Sequence, residues 1–314
     1  MITVNADNFV RAESDLMFSR LLADAGGLGR WIHYREPAPL DHQTIVRLNR
    51  DTLSLHAALV DVTAGAELTM PDSGNRYMSA MVLTQDHYVT DIFHDAGSYH
   101  LDAAKLGTDY AVLAVRTLVD PGNPDDVRQV NALQDQLTVH ATSAQPFILP
   151  DYDPNTQTRT RSALLELSGG LPDFRRAFGR RDDVDPVRHL ICAASAWGGL
   201  PEYEADYVNV NPGLPVGEYR LRLADVPVDA FWSVSLYDGQ GFFQPNPLGV
   251  NNINSVTAIR ETDGSVIVHF GVDPQHEPNF LYVMPGWNFL LRMYRPRAEV
   301  LDGRWAVPAV EPVT

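Results

Sequence analysis

The clearest structural signal in the chain is the run AFWSVSLY at residues 230–237, which Asp238 and Gly239 end. Large apolar residues dominate this run, and valine and aromatic residues favour the pleated, half-buried surface of a strand. Residues 219–223, YRLRL, alternate apolar and charged side chains, as a strand with one buried face does. Two further runs, at residues 265–270 and 289–294, complete the pattern of a C-terminal antiparallel β unit.

A second group of β-type runs lies in the N-terminal part of the chain. These runs are residues 53–57, 66–70, 77–83 and 110–115, and the turn sequence PDSG at 71–74 separates the second from the third. Several short apolar runs with turns between them are typical of an antiparallel sandwich or barrel. The sequence therefore predicts a second β unit before the C-terminal one.

Helical patterns flank and connect the β runs. Apolar residues recur at a helical period over residues 8–25, and Gly26 follows them as a stop signal. Asn123-Pro124 and Asp185-Pro186 each place a capping side chain before a first-turn proline. The predicted fold is mainly β with helical connectors, in which two antiparallel β-sandwich or jelly-roll-like units are joined by an α-helical segment.

Composition excludes several classes of protein. The chain has 314 residues, with 40 acidic against 24 basic side chains and a net charge of −16. Nucleic acid is not an expected partner, because phosphate binding needs clustered lysine and arginine. A single cysteine cannot form an internal disulfide. No apolar run approaches the ~18 residues that span a bilayer, and no secretory leader is recognisable, so no membrane partner and a cytoplasmic location are expected.

The segment from Arg47 to Asp51 is the most unusual polar motif beside an apolar strand. Guanidinium groups can bind an anionic ligand in a bidentate way, so Arg47 and Arg50, together with Asn49, are predicted to bind substrate. Asp51 is predicted to orient the guanidinium group and to act as a catalytic residue. The alternative is a structural salt-bridge network that ties the N-terminal helices to the sheet.

A second polar motif, Asp86-His87-Tyr88, comes directly after the apolar strand at residues 77–83. His87 could act as a general base, with Asp86 orienting its ring and Tyr88 assisting the proton transfer. Neighbouring side chains on a strand point to opposite faces, so Asp86 and His87 could cooperate only within a turn. The alternative is a histidine that bonds to the backbone at the entry of a loop.

No metal and no cofactor are predicted. The ten histidines show no metal-ligand spacing, and the glycines near residue 26 lack the context of a phosphate-binding loop. Cys192 lies in an apolar helical stretch and is expected to pack as a small hydrophobic residue. Trp197 either anchors the end of that helix or lines a pocket and binds substrate.

Phe242 and Phe243 stand in a predicted loop, where two phenylalanines are seldom left exposed. They either fold back over the sandwich or contact a second copy of the chain. A homo-oligomer is therefore an expected partner state, with these two residues as the candidate contact.

The motifs together resemble two bacterial families. Residues 49–53 (NRDTL), 71–79 (PDSGNRYMS) and 86–88 (DHY) resemble domain-of-unknown-function family 1254. Residues 231–237 (FWSVSLY) and 291–296 (LRMYRP) are similar to family 1214, which commonly follows 1254 in tandem. The resemblance implies sandwich-like all-β domains joined by helices, and self-association, but no particular reaction. The domains expected from it are residues 1–122, a helical connector at 123–205, and residues 206–314.

The predicted function is a cofactor-independent enzyme that acts on a small polar or anionic metabolite, in a pocket lined by Arg50, Asp51 and His87. Polar groups beside apolar strands, at the mouth of a sandwich, are a common setting for such sites. Two alternatives remain open at this level: a binding or carrier protein that uses the same pocket without chemistry, and an oligomeric interaction or structural protein.

Overall fold

The computed structural model describes residues 1–43, 46–275 and 277–313, without the side chains of Ser54 and Leu55. It divides the chain into two compact units. Unit one comprises Met1–Arg35, Leu53–Leu118 and Arg128–Pro201, and unit two comprises Glu36–Thr52, Val119–Val127 and Glu202–Thr314. The chain therefore passes between the units more than once, and the three sequence-predicted domains, 1–122, 123–205 and 206–314, remain a prediction.

Strands outnumber helices in both units. The helices are α1 (Phe9–Ala25), α2 (Ala103–Leu106), α3 (Pro124–Gln134), α4 (Pro154–Ser168), α5 (Pro186–Ser195) and α6 (Ala298–Leu301). The strands are β1 (Thr52–Asp61), β2 (Ala66–Met70), β3 (Met78–Thr84), β4 (Val89–Phe93), β5 (Gly97–Leu101), β6 (Tyr110–Leu118), β7 (Thr138–Ala141), β8 (Ala205–Val210), β9 (Tyr219–Leu223), β10 (Trp232–Tyr237), β11 (Asn252–Asn254), β12 (Val266–Gly271), β13 (Phe280–Tyr282), β14 (Asn288–Tyr294) and β15 (Glu311–Pro312). A mainly β fold with helical connectors is confirmed.

Unit one contains two sheets, with the strand orders β1-β6-β3-β4 and β5-β2-β7. Both sheets contribute to one apolar core: Val60, Val82 and Leu113 come from the first sheet, and Leu68 and Leu101 from the second. All of these side chains are at most 1% exposed. Burial of apolar faces from two sheets in a shared core is what the alternating strand patterns predict.

Helices α1, α4 and α5 pack together in unit one, where Phe9 and Ala12 contact Leu164 and Ile191. Helix α1 ends as predicted, because Gly26 adopts φ 70° and donates its N–H to the carbonyl of Ala23. Helix α5 also starts as predicted: the Asp185 carboxylate accepts hydrogen bonds from two backbone N–H groups of the first turn.

The burial of α1 differs from the sequence-based expectation. Its consecutive polar residues Glu13, Ser14 and Asp15 are at most 2% exposed, whereas Leu16 and Leu21 are only half-buried. A helix with a simple apolar stripe would place these three polar side chains largely in water. Their burial must therefore be balanced by specific partners.

Unit two also contains two sheets, with the orders β11-β10-β14-β8 and β13-β12-β9-β15. Strands β12 and β13 pair in parallel, while β10 pairs antiparallel with both β11 and β14. The core between the sheets is aromatic: Phe270 lies with its ring centroid 5.1 Å from that of Trp287 and 5.5 Å from that of Phe289. In the described residues, no helix is both long and apolar enough to cross a membrane.

Truncating Phe289 should test this aromatic core. We expect Phe289→Ala to lower the free energy of unfolding by about 3–5 kcal/mol, because it removes a fully buried ring and leaves a cavity. Urea unfolding followed by tryptophan fluorescence measures the change. The control is Val272→Ala at a position that is 53% exposed, where the change should stay within about 0.5 kcal/mol. Equal losses in both variants would contradict the assigned core.

Candidate functional site

The Asn49 side chain folds the predicted Arg47–Asp51 motif into a tight turn within unit two. Its Oδ1 accepts the Asp51 N–H at 2.7 Å, and its Nδ2 donates to the Tyr294 hydroxyl at 2.7 Å and to Thr52 Oγ1 at 3.1 Å. An asparagine that bonds the backbone two residues further on stabilises this kind of turn. Asn49 thus fixes the turn and fastens it to strand β14.

Asp51 is completely buried in unit two. Its Oδ1 accepts hydrogen bonds from the side-chain amides of Asn252 and Asn254 on β11. Burial raises the pKa of the Asp51 carboxyl, and the Arg292 charge and the Ser233 hydroxyl oppose that rise. Its Oδ2 has no hydrogen-bond partner of regular geometry among the described residues, although Ser233 lies near it.

Arg292, on β14, is the cation that accompanies Asp51, and it is 3% exposed. Its guanidinium group donates to Ser235 Oγ and the Tyr237 hydroxyl, each at 2.8 Å. It also donates to the backbone carbonyls of Arg47 at 2.7 Å and Leu48 at 3.1 Å. One buried guanidinium group therefore binds the whole turn to the sheet of unit two.

The two arginines predicted to bind an anion are both engaged within unit two. Arg47 adopts φ 55° and donates to Asn288 Oδ1 at 2.7 Å. Arg50 donates to the carbonyl of Ala38, and burial lowers the pKa of its guanidinium group. Both of these contacts go to neutral oxygen atoms and not to carboxylates. Ligand binding by the two arginines and the alternative of a structural salt-bridge network both remain predictions.

His87 belongs to unit one and lies in the turn after β3, with φ 62° and 1% exposure. Its Nε2 accepts the Gly198 N–H at 2.8 Å. Its Nδ1 has no hydrogen-bond partner in the part of the chain that the structure describes. Burial and the neighbouring His189 lower the pKa of the His87 ring to about 3, so the ring is neutral at pH 7. The Nε2 lone pair that a general base would use is occupied by Gly198.

The neighbours of His87 in the motif have other partners. The Asp86 carboxylate binds the Arg11 guanidinium group through two contacts of 2.8 Å, rather than the His87 ring. The Tyr88 ring stacks on His189 at a centroid distance of 4.6 Å, and the Arg181 guanidinium carbon lies 4.8 Å from its centroid. Asp86 and Tyr88 therefore belong to the same region of unit one as His87 without forming a triad with it. A catalytic role for this trio remains a prediction.

Trp197 connects this region to helix α1. Its ring stacks on His87 at a centroid distance of 5.6 Å, and its Nε1 donates to Ser14 Oγ at 3.1 Å. The turn after Trp197 needs its two glycines: Gly198 adopts φ 77°, and a Cβ on Gly199 would lie 2.4 Å from the Phe178 ring. The tryptophan is thus held between the buried histidine and the polar surface of α1.

The polar side chains of α1 include Asp15, which no sequence motif indicated as a functional residue. Asp15 accepts a hydrogen bond from Gln85 Nε2 at 2.8 Å on one oxygen and from the Tyr152 hydroxyl at 2.9 Å on the other. Burial raises the pKa of the Asp15 carboxyl, and burial together with Asp15 raises the pKa of the Tyr152 phenol. Arg11, one helical turn before Asp15, carries the ion pair with Asp86.

Four side chains thus form the candidate site of unit one: Arg11, Asp15, Asp86 and Tyr152. The Arg11 and Asp86 side chains are 38% and 33% exposed, and Tyr152 is half-buried, so solvent reaches the cluster. Asp15, at 2% exposure, lies behind them. A buried carboxyl joined to a reachable phenol and flanked by an arginine is an arrangement that supports acid–base chemistry.

The sequence did contain one signal for this site. Glu13-Ser14-Asp15 interrupts the apolar pattern of a predicted helix with three adjacent polar side chains. No spacing rule connects Asp15 to Tyr152, which lies 137 residues further along the chain. The pair could therefore be recognised only from the folded structure.

Metal ligands do not cluster in the described residues: no group of three or more His, Cys, Asp or Glu side chains there could hold an ion. His94 Nδ1 lies 3.0 Å from the carbonyl oxygen of Met78. Cys192 is buried, and burial raises the pKa of its thiol, which keeps it protonated and unreactive.

The predicted contact residues Phe242 and Phe243 differ in burial. Phe243 is 1% exposed and packs with Tyr237 and Leu290 in unit two, whereas Phe242 is half-buried. Phe243 therefore follows the folded-back alternative. Self-association through Phe242 remains a prediction.

Removing Arg292 should reveal the loss of unfolding free energy caused by a buried Asp51 carboxyl without its neighbouring cation. We expect Arg292→Met to lower the free energy of unfolding by about 3–5 kcal/mol, since it leaves a buried carboxyl without its cation. Adding Asp51→Asn should recover part of this loss, and a double-mutant cycle from urea unfolding measures the coupling. The control is Arg297→Met, whose ion pair with Asp229 is more than half exposed and should contribute at most about 1 kcal/mol. Additive effects of the Arg292 and Asp51 changes would contradict a direct interaction.

His87 should make the protein sensitive to acid. Its pKa is about 3 in the folded chain against 6.5 for the free side chain, so the unfolded chain takes up the proton first. The contribution of the neutral His87 ring to the free energy of unfolding is therefore fully present above pH 6.5 and is lost as the pH falls towards 3. Between pH 6.0 and 4.5 we expect wild type to lose about 2 kcal/mol more than His87→Gln does.

The matched control for this pH experiment is His140→Gln, at an exposed position of β7. The plot of its free energy of unfolding against pH should have the same slope as that of wild type. Chemical denaturation at a series of pH values measures all three curves, and a His87→Gln curve parallel to wild type would show that His87 does not titrate as described.

Comparisons with known proteins agree with the fold and leave the reaction open. Residues 211–298 match the model of a family described as a protein of unknown function (DUF1214). No curated protein matches the chain in sequence. The resemblance to family 1214 is thus supported over that segment, and the resemblance of the N-terminal half to family 1254 remains a prediction.

The solved structures that are similar to this chain include the following two. One is the VPA0106 protein from Vibrio parahaemolyticus, with a TM-score of 0.74, 18% identity and 98% of each chain covered. The other is an uncharacterized protein from Burkholderia cenocepacia, with a TM-score of 0.50, 16% identity, and 92% of this chain and 84% of that chain covered. At such low identity these likenesses show a shared fold alone.

Proposed function

We propose that this protein is an enzyme that acts on a small polar or anionic metabolite without an obligate cofactor, and that Asp15 and Tyr152 are its acid–base pair. The observation that carries the proposal is the 2.9 Å hydrogen bond between the half-buried Tyr152 hydroxyl and the buried Asp15 carboxyl. The proposed site replaces the pocket of Arg50, Asp51 and His87 as the first candidate, because its four groups lie in one unit and three of them, Arg11, Asp86 and Tyr152, are partly exposed to solvent.

The pair can move a proton in a defined direction. Tyr152 Oη would accept a proton from the substrate while its own proton passes to Asp15 Oδ2, which leaves the phenol neutral and the carboxyl protonated. The raised pKa of Asp15 makes it a stronger base than an exposed aspartate, and a base is most effective when its pKa approaches the working pH. The raised pKa of Tyr152 keeps the phenol protonated, as the relay requires.

The neighbouring charges suit a small anionic substrate. The Arg11 guanidinium group is partly exposed beside Asp15, and an arginine can exchange one carboxylate partner for another with little change in geometry. Gln85 holds the second oxygen of Asp15, and the Thr108 hydroxyl in turn donates to Gln85 Oε1 at 2.9 Å. Asp15 is therefore oriented before any substrate arrives, which favours catalysis over loose binding.

The first experiment identifies a ligand and then tests the pair. Native mass spectrometry of the purified protein, compared with its denatured mass, would reveal a copurified small molecule. Thermal shift with acetate, succinate, pyruvate and inorganic phosphate supplies defined anionic probes, and NMR follows any stabilising probe for turnover. We expect Asp15→Asn and Tyr152→Phe each to lower kcat by at least about 100-fold, the usual contribution of acid–base catalysis.

The matched control is Tyr110→Phe, which removes the hydroxyl of a unit-one phenol that, among the described residues, donates to the carbonyls of Gln145 and Pro146. Its kcat should equal that of wild type. Binding without turnover, unchanged in Asp15→Asn, would instead favour a binding or carrier protein. Turnover that survives both Asp15→Asn and Tyr152→Phe would contradict the proposed site.

A further inference from the structure

His189, on helix α5, has an unusual hydrogen-bond environment. Its Nδ1 lies 3.1 Å from the carbonyl oxygen of Ala177, and its Nε2 lies 3.0 Å from the carbonyl oxygen of Asp86. The residue is 4% exposed. A carbonyl oxygen only accepts hydrogen bonds, so both ring nitrogens must donate. A neutral imidazole has one N–H group, and the second nitrogen would then direct a lone pair at a carbonyl oxygen.

We infer that His189 is held as an imidazolium ion, and that its second proton locks the turn at residues 84–88 to helix α5. The turn contains Gln85 and Asp86, which bind Asp15 and Arg11. Loss of the Nε2 proton would break the bond to the Asp86 carbonyl, which is the one of the two that joins the ring to the turn, and would loosen the turn. The effect on the Asp15–Tyr152 site rests on the proposed function, whereas the charge and the lock do not.

The surroundings of His189 can accommodate a positive charge. The Tyr88 ring lies parallel to it at 4.6 Å, and an aromatic face attracts a cation. Two carbonyl dipoles point at its nitrogens, and charge-assisted bonds of this kind are stronger than neutral ones. His87 lies 5.5 Å away and remains neutral, partly because of the positive charge on His189.

The other charged groups of this region are engaged with partners of their own. Asp86 pairs with Arg11 on α1, and Arg188 of α5 pairs with Asp173. Arg181 lies over the Tyr88 ring, and the Asp185 carboxylate caps the start of α5. None of these contacts, as described, places a carboxylate oxygen on the His189 ring. The ring therefore depends on the two carbonyls and the Tyr88 face, and its charge makes the lock sensitive to pH.

The charge is tested directly by NMR of full-length protein with ¹⁵N-labelled histidine. At pH 6.0 we expect His189 to show protons on both ring nitrogens, while His87 shows a single proton, on Nδ1. His189→Gln and His87→Gln assign the two signals, and His189→Asn serves for assignment if the first variant folds poorly. A single ring proton on His189 at pH 6.0 would overturn the inference.

The lock is tested by amide hydrogen exchange and by unfolding between pH 6.0 and 9.0. Protection of the His87 and Tyr88 amides, which bond to Thr84, should decline in step with loss of the second His189 proton, after correction for the intrinsic rate. The ratio of wild-type to His189→Gln unfolding constants should change by about tenfold over this range, as a charge-assisted bond becomes a lost one. The corresponding ratio for His140→Gln should stay constant.

These outcomes separate the inference from the proposed function. If turnover does not depend on Asp15 but the His189 ring carries two protons and the turn loosens with pH, the proposed function fails and the lock stands. If turnover depends on Asp15 while turn protection is independent of the His189 proton, the lock is wrong and the site stands.

Discussion

Burial of charged side chains is the constraint on which both units depend, because each buried charge must be surrounded by oriented partners. In unit two, Arg292 and Asp51 are both at most 3% exposed: Asp51 accepts hydrogen bonds from asparagine side chains, and Arg292 donates to serine and tyrosine hydroxyls. In unit one, Glu13 of α1 accepts hydrogen bonds from Arg161 and Gln157 of α4. These polar networks join specific segments within each unit: α1 to α4 in unit one, and the 47–52 turn to β14 in unit two.

The Asp15 and Asp51 carboxyls are both buried but have different hydrogen-bond partners. Burial raises the pKa of both. Asp51 accepts hydrogen bonds from the side-chain amides of Asn252 and Asn254 and is stabilised by the Arg292 charge. These contacts hold the 47–52 turn against the sheet of unit two. Asp15 is joined to a phenol that is half-exposed, so its protonation state is linked to solvent. The exposure of the bonded partner, rather than the shift of pKa or the burial of the carboxyl itself, distinguishes Asp15 from Asp51.

Sequence patterns predicted the parts of the fold that depend on local periodicity. Helix α1, the start of α5 and strand β10 were expected close to where they lie, because spacing, capping and apolar runs are local properties. Strands β5 and β7 were missed: Gly97–Leu101 and Thr138–Ala141 are short and contain several exposed side chains, so their apolar content is low. They are strands because both pair with β2, a non-local cause that no window of sequence contains.

The polar motifs were recognisable in the sequence but their partners were not, for the same reason. The Arg47–Asp51 and Asp86–Tyr88 motifs were recognised as unusual, yet their partners lie far along the chain: 201 residues separate Asp51 from Asn252, and 111 separate His87 from Gly198. An isolated motif cannot distinguish a side chain that binds a ligand from one that binds its own backbone. No functional role was predicted for Arg292 within the apolar run of β14, although two of its four described hydrogen bonds hold the turn.

The extent of the family match bears on where function should be sought. Residues 211–298 include Asn252, Asn254 and Arg292, the partners of Asp51, so the matched segment contains a buried structural network. Arg11, Asp15, Asp86 and Tyr152 all lie outside it. What is learned about the matched family would therefore apply first to the packing of unit two. The chemistry proposed for unit one must be established on the residues of unit one, since function resides in sites and not in folds.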